Sequence, residues 1–73
     1  MRTKMIDRRK ELGYSQQDIA DLLNVTRSAI SGWEIGRNEP DLSTIIKLKT
    51  IYKVKDDSFF LEDNVTNRDN KTA

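Results

Sequence analysis

Between residues 15 and 40 the side chains of Gln16, Gln17, Arg27, Ser28, Ser31, Arg37 and Asn38 recur at short intervals, and each carries a hydrogen-bond donor. Donors of this kind suit recognition of an anionic or polar surface. They do not suit bond breaking, because the chain has no histidine and no cysteine. Ser15, Ser28 and Ser31 therefore lack an imidazole base, and thiolate or imidazole metal sites are excluded along with any Cys/His nucleophilic centre. The carboxylates stand singly, with no pair arranged to converge in a pocket. The expectation is a non-enzymatic chain with no cofactor, no metal and no evident small-molecule ligand.

The elements that must position these residues fit in one small domain with one small core, since the chain has 73 residues. No apolar stretch approaches the roughly 20 residues of a membrane span. The start, MRTKMIDRRK, lacks the apolar region of a secretion signal, so a soluble cytoplasmic protein with no membrane partner is expected. A formal net charge of +1 says little about partners, but its distribution says more. Residues 1–61 carry eleven Lys or Arg against nine acids, and Arg2, Lys4, Arg8, Arg9 and Lys10 cluster at the start. Residues 62–73, EDNVTNRDNKTA, hold a single aliphatic side chain, Val65. That stretch cannot bury enough to offset ordering and reads as a loose polar tail after a domain at 1–61.

Within the domain the pattern is all-α, five short helices without a strand. The spacing of Met5, Ile6, Arg9 and Leu12 predicts a helix over about 4–12, stopped by Gly13, with Tyr14 packing as a linker anchor. Ser15 caps a second helix at about 16–23, with Asp18 completing a capping box and Ile19, Ala20, Leu22 and Leu23 as its buried face. Asn24 tolerates the left-handed conformation and ends that helix in a tight turn, and Val25 plugs the space beyond it. Thr26 caps a third helix at about 27–34 with Ala29, Ile30 and Trp33 inward, and Gly36 ends it. Ala20 and Ala29 are small enough for two helices to cross closely. After Pro40, Asp41 caps a fourth helix at about 42–52 whose apolar face is Leu42, Ile45, Ile46, Leu48, Ile51 and Tyr52. Val54 fills the next turn, and Asp56 or Asp57 caps a last helix bearing Phe59, Phe60 and Leu61.

Two short helices around a tight turn, with the second one displayed, form a unit suited to double-stranded DNA. Such a unit needs phosphate contacts for position and base contacts for sequence. With Ala29, Ile30 and Trp33 buried, Arg27, Ser28, Ser31 and Gly32 are the exposed positions of helix three. Arg27 is the best base reader, since a guanidinium grips guanine O6 and N7 together, although it could also reach a phosphate. Gly32 costs helix stability at an exposed site, which close approach to DNA would explain as well as a tolerated weak spot does. Gln16, Gln17, Arg37 and Asn38 are the expected phosphate contacts, with Lys4 and Arg8 as weaker ones.

The run RRKELGYSQQDIADLLNVTRSAISGWEIGRNEPDLSTIIKL resembles the lambda-repressor/Cro class of helix-turn-helix domains, the XRE family, and the resemblance covers about residues 4–61. It implies that Gln16 contacts phosphate at the entrance of helix two and that positions Arg27, Ser28 and Gly32 face bases. It also implies a structural pair between Arg9 and Glu34, so that Arg9 braces the fold. Four positions depart from the usual pattern. Asn24 replaces a common glycine, Gly32 removes a frequent reading side chain, Lys49 stands where a small buried residue is usual, and Asp56 where an apolar one is frequent. The family usually dimerises through the region after helix four, and Phe59, Phe60 and Leu61 are the expected homodimer surface. The implied function is a sequence-specific transcriptional regulator, most simply a repressor acting as a dimer on a palindromic operator. The alternatives are an autoregulating antitoxin and a protein-interaction module that no longer binds DNA.

Overall fold

The three middle helices each begin at a capping side chain and end at a residue in the left-handed conformation. The computed structural model describes residues 1–61, and the expected polar tail lies outside the described residues. Among the described residues the order is α1 (Thr3–Glu11), α2 (Gln16–Leu23), α3 (Arg27–Ile35), α4 (Leu42–Tyr52) and α5 (Ser58–Leu61), with no strand. The all-α reading with five helices is borne out.

The caps explain the boundaries. At α2, Ser15 Oγ accepts the Asp18 amide at 3.0 Å while the Asp18 carboxylate accepts the Ser15 amide at 2.8 Å, so both halves of the capping box form. Asn24 then turns left-handed at φ 58°, as the sequence predicts, and its amide donates back to Ala20 and Asp21 carbonyls. Thr26 Oγ1 accepts the Ala29 amide to open α3, and Gly36 closes it at φ 88°. Asp41 accepts the Thr44 amide at 2.9 Å to open α4. The end of α4 is less expected, because Lys53, a residue with a Cβ, takes the left-handed conformation at φ 58°. Arg8 supports it from α1: its Nε donates to the Tyr52 carbonyl at 2.9 Å, placing a cation at the negative end of α4. Arg8, expected as a weaker phosphate contact, thus braces the end of α4.

Met5, Ile19, Ala20, Ile30, Trp33, Ile45, Leu48, Tyr52 and Phe60 form the core, drawing at least one side chain from every helix. The Tyr52 and Phe60 rings meet edge to face with centroids 5.2 Å apart. Burial, with the Glu34 charge nearby, pushes the Tyr52 phenol well above its ordinary pKa, so it stays neutral.

Four residues expected to point inward, Val25 among them, do not. Leu22, Leu42 and Ile46 are all exposed, Leu42 by 69 %. The reason is the width of the apolar stripe. On α4 the positions Ile45, Leu48 and Tyr52 run in one line into the core, and Leu42 and Ile46 lie a quarter turn or more from that line and stay exposed. Leu22 is displaced in the same way from Ile19 and Ala20 on α2, and Val25 is exposed rather than a plug. In the other direction, Phe60 is fully buried against Tyr52, which removes it from the expected dimer surface. Of the two departures near the C-terminal end, Lys49 donates to the Asp57 carboxylate at 2.7 Å, and Asp56 accepts the Ser58 amide at 2.9 Å, serving as the anticipated acidic cap of α5.

The caps carry a pH dependence. Hydrogen bonds from Thr44 hold the Asp41 carboxyl below its ordinary value of 3.8, and those from Ser58 do the same for Asp56. A lowered folded pKa means that the unfolded chain binds protons first as pH falls. Their stabilising contribution is therefore complete above the ordinary aspartate value and is lost as pH drops through the lowered folded values. Asp41→Asn keeps an acceptor at the cap but removes the titration. Urea midpoints measured between pH 7 and pH 2 should show a shallower acid decline for this variant than for the wild type.

Candidate nucleic-acid interface

The interface is built from the inside outward, and its innermost atom group is the Glu34 carboxylate near the end of α3. Glu34 Oε2 accepts from Arg9 Nε at 2.7 Å, and its Oε1 accepts from Arg9 Nη2 at 3.3 Å and from Gln16 Nε2 at 2.9 Å. The expected Arg9–Glu34 pair is present as a buried, two-pronged contact, with the two side chains 9 % and 3 % exposed. Arg9 Nη1 also donates to the Tyr14 carbonyl at 2.9 Å. One carboxylate thus joins α1, the entrance of α2 and the end of α3. Gln16, half-buried, is drawn into this network by its amide, whereas Gln17 is exposed and donates to Asp21 along α2.

Around that brace α2 and α3 cross through Ala20, which has no exposed surface, and Ile30 and Trp33 fix the inner side of α3. Arg27 and Ser28 stand exposed at its first turn, as expected, and Ser31 is half-buried. Among the described residues no carboxylate pairs with Arg27 or with Arg37. Arg37 and Asn38 are exposed in the loop after α3.

Gly32 departs from the expectation. It is buried, not exposed, because the side chains of Arg37 and Asn38 fold back over it. The Gly32 carbonyl accepts both the Arg37 and Asn38 amides, at 2.9 and 3.3 Å, which ties the loop onto the helix it follows.

Arg2 is the residue that sequence reading missed. Counted there as one of a basic cluster, it is only 3 % exposed. Its Nη1 donates to the carbonyls of Trp33 at 2.6 Å and Asn38 at 2.8 Å, its Nη2 to that of Leu61 at 3.4 Å, and its backbone amide to that of Glu34 at 2.7 Å. Nη2 also lies 3.7 Å from the Glu39 carboxylate. Arg2 therefore caps the negative end of α3 and holds the loop that carries Arg37. Nothing in the local sequence separates this arginine from its solvated neighbours.

The buried network makes a quantitative expectation. Glu34→Ala leaves Arg9 buried without its anion and should cost about 3–5 kcal/mol in urea unfolding. Replacing Arg9 and Glu34 together with alanine should cost clearly less than the Arg9→Ala and Glu34→Ala losses added. Simple additivity would mean that the pair does not act as a unit.

The comparisons with known proteins follow the same geometry. A helix-turn-helix family model matches residues 5–59. The chain is 49 % identical over 49 residues to YonR, an SPbeta prophage-derived uncharacterized HTH-type transcriptional regulator of Bacillus subtilis strain 168, covering 67 % of this chain and 45 % of that protein. It is 29 % identical over 65 residues to the HTH-type transcriptional regulator ImmR of the same organism, covering 89 % of this chain and 51 % of that protein. With YgzD, an uncharacterized HTH-type transcriptional regulator also from that strain, identity is 31 % over 64 residues, covering 86 % of this chain and 97 % of that protein. The chain thus spans about half the length of the first two of these relatives. No solved structure matches the chain. The matched span holds Arg9, Gln16, Arg27 and Glu34, the residues from which the interface is built, and the chain belongs to the helix-turn-helix family of the lambda-repressor/Cro type.

Proposed function

We propose that this domain binds double-stranded DNA with α3 in the major groove and acts as a sequence-specific transcriptional regulator. The observation that carries the reading is the exposed first turn of α3: Arg27 and Ser28 face outward while Ile30 and Trp33 hold the opposite side in the core. A helix displayed by such a scaffold leads into the groove with its early residues. Arg27, without an ion pair among the described residues, has its guanidinium available for guanine O6 and N7, and Ser28 adds a less discriminating contact. Ser31, half-buried, has a smaller part at the edge of the same face. Gln16 and Gln17 at the start of α2, with Asn38 after α3, flank that face and are assigned to phosphate. The names of the relatives, which are HTH-type transcriptional regulators, agree with this reading.

The simplest mode of action is repression, in which an occupied promoter excludes polymerase. One module reads few bases, so we assign a dimer that reads a palindromic site with half-sites about 34 Å apart. Support comes from α5, where Leu61 is 37 % exposed and Phe59 is half-buried, leaving apolar surface beside the fully buried Phe60.

Selection of bound duplexes from a random library tests the reading directly. A palindromic consensus is the expected result, with affinity that falls steeply as salt rises. Arg27→Ala should weaken binding to the selected duplex by about 1–3 kcal/mol and binding to random duplex far less. Equal losses on both would remove Arg27 from base reading, and absence of any selected duplex would remove the regulator reading itself.

A further inference from the structure

We infer that Arg37, which lies outside α3, is a base-reading residue that stands where a side chain of residue 32 would stand, and that Gly32 is the residue that lets it. This deepens the DNA-binding reading and rests on it.

Gly32 follows Ser28 by one turn on the outward side of α3, a position from which a side chain would join Ser28 at the base edges. The helix has no side chain there, yet the place is filled. A Cβ built on Gly32 would lie 2.9 Å from Asn38 Nδ2, 3.1 Å from Arg37 Nη2 and 3.6 Å from Arg37 Nε. The Arg37 guanidinium therefore lies across the surface of α3 at the missing side chain. Its course is set by backbone bonds. Gly36 reverses the chain at φ 88°, the Arg37 and Asn38 amides close onto the Gly32 carbonyl, and Arg2 grips the Asn38 carbonyl at 2.8 Å.

A phosphate grip needs only a cation that can reach, and a swinging arginine supplies it. A guanine contact meets O6 and N7 with two N–H groups of one guanidinium plane at once, and it is favoured where the fold already sets that plane against the reading face. The anchored loop and the gap at Gly32 set the Arg37 guanidinium against the side of α3 that carries Ser28, so Arg37 is assigned to a base and not to a phosphate. Gly32 acts through Arg37 and is a positioning residue.

The test selects duplexes from a library with a randomised core, using the full 73-residue chain and its Arg37→Ala, Arg37→Lys and Gly32→Ala variants. Circular dichroism checks that each is folded. Arg37 is exposed, and the atoms in the way of an alanine at 32 are ends of flexible side chains, so α3 is expected to persist in all of them. Arg37→Ala should lose the preference for guanine at one base pair of each half-site while keeping the rest of the wild-type consensus. Its affinity for the wild-type consensus duplex should fall about tenfold or more, the range of a lost bidentate base contact. Arg37→Lys, which keeps the charge, should keep the salt dependence and still lose the guanine preference. Gly32→Ala should reproduce the loss by displacing the guanidinium. If the wild type selects a consensus and the Arg37 variants select the same one, with all duplexes weakened alike, Arg37 is a phosphate grip and this inference is overturned alone. A wild type that selects nothing overturns it together with the regulator reading. An unchanged consensus in Gly32→Ala, beside an altered one in Arg37→Ala, overturns the role given to Gly32.

Discussion

A single buried carboxylate, that of Glu34, sets the geometry on which the rest depends. An isolated negative charge in a core this small would cost far more than the fold could sustain. Glu34 is tolerated because Arg9 meets it with two nitrogens and Gln16 with a third donor, and those partners come from α1 and from the entrance of α2. The charge therefore demands that three helices arrive at one place. Hydrophobic contact alone, being non-directional, would leave α3 free to slide or rotate against α2. The network removes that freedom, and with it fixes which side of α3 faces out.

A second arginine completes the frame at the same helix end. Arg2 satisfies the carbonyls of Trp33 and Asn38 and carries its own backbone amide to the Glu34 carbonyl. The last turn of any helix leaves carbonyls without intrahelical partners, and a guanidinium with several donors answers more than one of them. Here the answer also anchors the loop of Arg37 and Asn38, so the end of α3 and the segment after it behave as one surface. Arg8 performs the corresponding service for α4 through the Tyr52 carbonyl. Three arginines of the N-terminal cluster thus bond to the fold itself, whereas the arginines at 27 and 37 are exposed.

Much of the fold was legible in the residue order because its signals are local. Ser15 with Asp18, Asn24, Thr26, Gly36 and Asp41 each act within a few residues, and all of them start or stop a helix where the pattern places it. The Arg9–Glu34 pair was legible by another route, the resemblance to a family in which that pairing recurs, since twenty-five residues separate the partners. Apolar periodicity was a weaker guide. It marked Leu22, Leu42 and Ile46 as inward together with their neighbours, but an apolar stripe wider than the surface available to cover it must leave part of itself outside.

What the sequence by itself determined is the set of short capped helices and the tight turn at Asn24, consequences of interactions reaching no further than one helical turn, while the stripe of Ala29, Ile30 and Trp33 marked Arg27 and Ser28 as outward. What only the tertiary structure decided is how the basic residues divide between interior and surface, the burial of Gly32 beneath Arg37 and Asn38, and the withdrawal of Phe60 into the core. The first depends on carbonyls contributed by segments distant in the chain, and the other two on how loops fold back beyond the reach of one helical turn. Arginine has the same donors wherever it stands, and only the packed arrangement determines whether unpaired carbonyls or open solvent surround it.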